Sequence, residues 1–342
     1  MTLEVFLVNW KKRFAELEEE RNEAAEQKVK ALSKEYDEAI KTVEREIGAF
    51  YLRYAKDGKI TFAEAKQILT SGELKSFRTT LTKLIEHTDD PKWKQTLERL
   101  NLRQRVSRME MLLVLLQNEI ERLAYLQEET IKTLAEEDYT EQYYHALFLL
   151  QSGLGVGVKV ESVPQAVIKK LITEAWAMDE MTFADRIKTV ANKHKKELEK
   201  VLIQGFNRND NLNEIAKTVV NRFEVSQSNA RRLVVTEHSY FVSSATKDSF
   251  KLMGVDKYEI VATLDLRTSQ ICRDMDGKVF PLSEYRVGVT AHPFHPWCRT
   301  MEVPYFKDIE DGQRIARNKF GENIHVPQEM KYQEWHEKFI EK

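Results

Sequence analysis

The chain has little cysteine, little proline and almost no net charge, and each scarcity closes off a class of protein. Two cysteines, Cys272 and Cys298, in 342 residues cannot build a disulfide framework, so stability has to come from packing, and a reducing compartment is the default setting. There are 7 prolines, the first at Pro91, so nothing before that residue forbids long helix. Lys plus Arg number 53 against 55 acidic residues, a net charge of −2, so no global field draws the protein onto DNA or an anionic membrane, and any nucleic-acid contact must be local. No stretch approaches the ~20 apolar residues that cross a bilayer. The start, MTLEVFLVNWKKRF, puts its apolar residues ahead of its charges, the reverse of a secretory leader. A soluble, unexported protein without a membrane partner is expected.

What the chain does have is charge in helical rhythm. Asp, Glu, Lys and Arg make up 32% of the residues, which suits long solvated helices better than a sandwich or barrel. From Leu3 the apolar residues Leu7, Trp10, Phe14 and Leu17 recur in steps of four and three, as a two-helix seam requires. Tyr36, Ile40, Val43, Ile47, Phe50 and Tyr54 form a second stripe, and the absence of large apolar residues from Arg21 to Lys28 predicts a helix packed at its ends and bare or weakly paired between them. Asp57-Gly58 breaks it. Thr61 with Glu64 then reads as a capping box, and Ser71-Gly72 as the end of that short helix. A further helix runs to about His87, and Asp90-Pro91 supplies a cap with proline at the first helical position. That cap is expected to open one long helix toward Glu137, with Val106, Met109, Leu113, Leu116, Ile120 and Leu123 as its stripe.

The glycines at 153, 155 and 157 follow an aromatic helix from Tyr139 to Leu150 and mark a change of character. They lack the preceding strand and the Gly-Lys-Ser of a phosphate loop, so they read as a hinge and no nucleotide site is assigned. Beyond Pro164 the pattern is helical again, over Val167 to Trp176, Phe183 to Phe206 and Leu212 to Phe223. Ser226 looks like the cap of a separate helix to Met253, closed by Gly254. Tyr258 to Ala262 alternates as a strand, with Lys278 to Phe280 and Thr300 to Val303 as shorter ones. The expected fold class is therefore mainly α with a C-terminal α+β module, the long amphipathic helices forming an elongated helical bundle or arm ahead of a small mixed domain. Four segments follow: an elongated helical arm over 1–152, a hinge and helical linker over 153–220, the mixed module over 221–306, and a tail over 307–342. In the tail Arg314, Arg317 and Lys319 stand beside Phe320, followed by Trp335 and Phe339, and read as a packing or partner-binding helix.

Three clusters carry the chemistry: Thr236-Glu237-His238 on a helix, Asp265-Leu266-Arg267-Thr268 leading to Cys272 and to Gly277-Lys278-Val279-Phe280, and His292-Pro293-Phe294-His295-Pro296-Trp297-Cys298-Arg299. Cys272, His295 and Cys298 offer two thiolates and an imidazole, and His292 a fourth donor, the number a tetrahedral zinc site needs. The same residues also read as buried thiols with backbone-capped histidines, or as a disulfide. Asp265 is placed to cap the short helix carrying Cys272, Arg267 to reach a carboxylate such as Glu237, and Arg299 to tether the same acidic pair. Ion pairs that lock a fold are one use of Glu237 and Asp265. Metal-dependent hydrolysis with His295 as base is the other. The basic residues Arg99, Arg103, Arg105 and Arg108 read by default as a solvated helix face, and as the least diluted cationic cluster they are the candidate if DNA is touched.

In order and spacing the three clusters resemble the Mu F-like domain of phage minor head, or head morphogenesis, proteins over 221–306. The departures are Ser269, where family members often carry a further cysteine, and Val235, where many carry arginine. The resemblance implies a structural, non-enzymatic minor capsid protein of a tailed phage, present in the virion at the head interior or portal vertex and in the host cytoplasm during assembly. Implied partners are the portal protein, other capsid proteins and double-stranded DNA, while the heptad stripes of the long helices allow oligomerisation and leave the number of chains open. Zinc is the one cofactor the cluster suggests. The competing functions are an enzyme, hydrolytic or toxin-like, housed in the C-terminal module and acting as the genome enters the host, and a DNA-binding accessory protein.

Overall fold

The computed structural model describes residues 9–306, 313–320, 322–327, 330 and 332–340. Helix α1 (Trp10–Tyr54) carries the first two stripes on one continuous element. Leu3 and Leu7 lie outside the described residues. The middle of α1 is not bare, because Arg21, Ala25 and Val29 are buried at every fourth position and small or flexible side chains continue the seam where no large apolar residue is available. Gly58, at φ +73, turns the chain after α1. Thr61 and Glu64 then close the expected capping box on α2 (Phe62–Ala65).

Several expected boundaries move, because caps were misread or missed. Ser71-Gly72 starts α3 (Ser71–His87), since Thr70 and Glu73 form a second capping box just ahead of it. The proline-started helix α4 is short (Pro91–Asn101). A third box, Ser107 with Glu110, begins α5 (Arg108–Leu154), which also absorbs the aromatic stretch from Tyr139. On α5 the buried stripe runs through Met109, Leu112 and Leu116, with Leu112 in place of Leu113. Gly155, at φ +66, ends α5, and no further helix begins before α6 (Gln165–Thr173). Helix α7 (Phe183–Arg208) follows. Ser226 caps nothing: α8 runs unbroken from Leu212 to Leu252. Gly254, at φ +66, stops it, and the Val255 N–H donates to the Phe250 carbonyl, the closing bond expected of a left-handed cap.

The strands fall where alternation placed them. β1 (Lys257–Val261) pairs antiparallel with β2 (Val279–Pro281) on one side and β3 (Met301–Pro304) on the other, in register Glu259 with Val279 and Ile260 with Glu302. Short α9 (Gln270–Met275) lies between β1 and β2 in the chain. The tail, expected as a helix, first forms a hairpin of β4 (Gln313–Arg317) and β5 (Asn323–Pro327), with α10 (Tyr332–Phe339) after it. Leu264, Ala316, Val326, Met330 and Trp335 form a small core there.

The chain divides into two units. One comprises Met1–Lys28, Ile131–Thr182 and Arg232–Lys342, the other Val29–Thr130 and Phe183–Arg231. In the second, Phe206 packs on Phe50 and Tyr51, whose hydroxyl donates to the Asp210 carbonyl at 2.8 Å. In the first, Trp10, Phe14 and Leu17 of α1 and Ala146 and Leu150 of α5 share one core with Phe250, Tyr258, Ile260 and Val303. The sheet is thus covered by residues that are distant in the chain. The buried Lys11 ammonium adds an ion pair to Glu259 of β1 at 2.7 Å. No described helix is long and apolar enough to cross a membrane.

Candidate metal centre

The site is assembled by two turns, one after β1 and one before β3. In the first, the Asp265 carboxylate accepts from the Arg267 N–H at 2.9 Å and from the Thr268 hydroxyl at 3.1 Å, while that hydroxyl also donates to the Thr263 carbonyl. Ser269, not Asp265, caps α9, its hydroxyl accepting from the Cys272 N–H at 3.4 Å. The difference follows from spacing, because a capping side chain serves the N–H two or three residues on, which from Ser269 is Cys272. Gly277, at φ +71, bends the chain into β2 and donates its N–H to Ile260 at 2.8 Å, a backbone shape that disfavours any side chain.

In the second turn Cys298 donates its N–H to the His295 carbonyl at 3.2 Å, with Trp297 held at φ +66 between them. Arg299 is locked to the first turn: its two terminal nitrogens donate to the two Asp265 oxygens at 2.6 and 2.7 Å, and its carbonyl accepts from Thr263 at 2.9 Å. Burial alone would raise the Asp265 pKa, but the Arg299 guanidinium, the Arg267 N–H and the Thr268 hydroxyl hold it below the ordinary carboxylate value. Arg267 does not reach Glu237. Its side chain is 73% exposed and approaches Asp265, at 3.8 Å. Glu237, 1% exposed, instead accepts from the Trp176 indole at 2.8 Å. The two carboxylates therefore do not form a pair: each has its own partner.

Cys272, His295 and Cys298 come together, their ligand atoms all within 4.8 Å of one another. The sulfurs are 3.7 Å apart, and Cys272 Sγ lies 3.0 Å from His295 Nε2. Two zinc–sulfur bonds of ~2.3 Å at a tetrahedral angle require about 3.8 Å between sulfurs, so the pair already has the separation a metal would impose. A disulfide needs ~2.05 Å, and both cysteines are free thiols. His295 Nδ1 is bonded to the Pro296 carbonyl at 2.7 Å, which leaves Nε2 as the ligating nitrogen and supplies the outer contact that orients a metal-bound histidine. The Cys298 thiol shifts the Cys272 pKa down most strongly, with Ser269 and His295 adding to it, and Cys298 is raised in turn. The arrangement favours one thiolate in place, the form a metal takes. Cys272 is 4% exposed, which suits a ligand and not a nucleophile meeting a substrate.

His292 is placed apart from these three. Its backbone N–H and Nδ1 are engaged by the two Glu302 oxygens, both at 2.7 Å, and its Nε2 is buried without a hydrogen-bond partner. A second such pair, His238 Nδ1 on Asp138 at 2.7 Å, sits in the same unit. Glu302, Asp138 and Trp176 were not singled out from sequence, and Ser269 was noted there only as a departure from the family's cysteine. Ser269 was readable as a cap three residues ahead of Cys272, whereas the other three are partners across 10, 100 and 61 positions and carry no local signal.

The basic cluster is partly spoken for. Arg103 pairs with Glu110 at 2.9 Å, and the Arg108 guanidinium sits over the Tyr54 ring at 4.3 Å. Arg99 and Arg105 are exposed.

Residues 196–303 match the family model described as Phage Mu protein F like protein. The match covers the end of α7, all of α8, the three-stranded sheet except its last residue, and every ligand of the cysteine–histidine cluster. No curated protein and no solved structure matches the chain.

Proposed function

We propose, for a chain whose residues 196–303 form a Phage Mu F-like region, that it is a minor head protein of a tailed phage that acts in head morphogenesis and resides in the virion at the portal vertex. The match is the observation that carries this reading. The site geometry supports a structural role, since Asp265 is held by Arg299, Glu237 by the Trp176 indole, and the thiols are enclosed. Peptide mass spectrometry of purified virions and of proheads assembled without the portal protein tests it. The protein is expected in virions and missing from the portal-less particles; absence from virions overturns the reading, and retention without portal overturns the portal assignment.

Within that function, Cys272, His295 and Cys298 are the residues that hold a zinc ion, clamping the turn after β1 to the turn before β3. Zinc supplies rigidity there, as structural sites do, and no reaction is assigned to it. Purified protein should carry zinc at one per chain by mass spectrometry, and Cys272→Ser or Cys298→Ser should lose it. A folded wild-type protein that takes up no zinc removes the clamp and leaves the cysteines as packing residues.

Contact with packaged DNA is proposed at the exposed Arg99 and Arg105. Its signature is salt dependence, about −0.9 in log–log slope per phosphate neutralised, so Arg99→Ala/Arg105→Ala should flatten the slope by about two units. A slope that is already flat in the wild type rules the contact out.

A further inference from the structure

The zinc reading leaves one corner of a tetrahedron to be filled, and we infer that it is an open, exchangeable position facing Ser269, occupied by water and able to take a small monodentate anion or thiolate. The inference rests on the zinc assignment and concerns what the site does beyond holding its turns together.

Three observations lead to it. Among the described residues three donor atoms come together in the cluster, Cys272 Sγ, His295 Nε2 and Cys298 Sγ. A closed structural site uses four protein ligands, whereas three protein ligands with a free corner is the arrangement that binds exogenous molecules. His292, the remaining histidine in the loop, is not among the described residues whose ligand atoms converge within 4.8 Å, its N–H and Nδ1 being held at Glu302.

The free corner also has a side. Both cysteines are buried, while His295 and Ser269 are only half-buried, so the cluster meets solvent on its histidine and serine side. Ser269 is the residue at that edge. Its hydroxyl lies 2.7 Å from His295 Nε2 and accepts from the Cys272 N–H at 3.4 Å, so it contacts two of the three ligand residues. With a metal in place, Nε2 turns its lone pair to the ion. The Ser269 hydroxyl is then released to hydrogen-bond whatever fills the fourth corner. A neutral hydroxyl is a poor zinc ligand beside thiolates, but a good partner for a bound water or anion. Ser269 is accordingly a positioning residue for the exchangeable ligand.

Cobalt(II) substituted for zinc reports the coordination shell by its visible spectrum, and azide and 2-mercaptoethanol serve as probes. The cobalt-loaded wild type should show a spectrum that shifts saturably with either probe. Ser269→Cys should bind cobalt and zinc more tightly, by about tenfold or more, with a stronger thiolate charge-transfer band and no response to azide. Ser269→Ala should keep the metal at unchanged stoichiometry but bind azide more weakly. A wild-type spectrum indifferent to both probes, or a Ser269→Cys variant that is folded by circular dichroism yet no tighter, overturns the open corner and assigns the fourth ligand to another protein group. Failure of wild type and Ser269→Cys alike to bind either metal is a different result, because it removes the zinc reading itself.

Discussion

The bidentate bond between Arg299 and Asp265 joins the two turns that carry the cysteines. Arg299 is partly exposed, so the pair is worth less than a fully enclosed one, and Arg299→Ala is expected to cost about 1–3 kcal/mol in urea unfolding at neutral pH. The pH dependence has a definite sign. Because the Asp265 pKa is held below its ordinary value, the stabilisation is complete above that value and is lost as pH falls through the folded-state pKa. Wild type should therefore lose stability below about pH 4, and Arg299→Ala should show a flatter acid limb. Equal acid limbs in the two proteins would show that the pair contributes nothing. Lysine at 299 should recover only part of the loss, since an ammonium cannot reach both oxygens in a planar fork.

At the scale of single elements, caps and alternation were the legible signals. Thr61 with Glu64, Asp90 ahead of Pro91 and Gly254 all stand where local chemistry put them, because each satisfies orphan backbone groups within three or four residues of itself. Ser71-Gly72 misled because small residues also occupy the first turn of a helix, here the one capped by Thr70, and Ser226 because a polar residue is tolerated inside a helix whose opposite face is buried, which is not a local property. Gly153 is a case where packing decides. A Cβ built there would lie 2.3 Å from the Trp10 ring, so the last turn of α5 approaches α1 through the missing side chain. Helix propensity favours alanine by about 0.5–1 kcal/mol, whereas overpacking against a rigid indole costs typically 1–3 kcal/mol. Gly153→Ala should lower the thermal midpoint and change the Trp10 fluorescence; a raised midpoint would mean that the ring moves aside at no cost.

The whole molecule adds a dependence that no element shows. The core under the sheet of β1, β2 and β3 is completed by Trp10, Phe14 and Leu17 and by Ala146 and Leu150, and the buried His238 ring rests on Asp138. A fragment of residues 221–306 alone would expose that apolar face and strand His238 without its carboxylate. It should be disordered by NMR and bind a hydrophobic dye. Supplying residues 9–28 and 131–182 in the same chain should restore dispersed signals. A well-folded 221–306 fragment would show that the covering helices are dispensable.

Determined by the sequence itself were the helical class, the caps at Thr61, Asp90 and Gly254, the three strands of the main sheet, and the Mu F-like spacing that carries Cys272, His295 and Cys298, whereas setting His292 apart from them took the fold. Only tertiary structure decided who pairs with whom: Glu237 with Trp176 and not Arg267, His292 with Glu302, His238 with Asp138, and Ser269 beside the histidine that would hold the metal. Those choices depend on which buried polar group lacks a partner once the helices have packed, a condition that exists only in the folded chain.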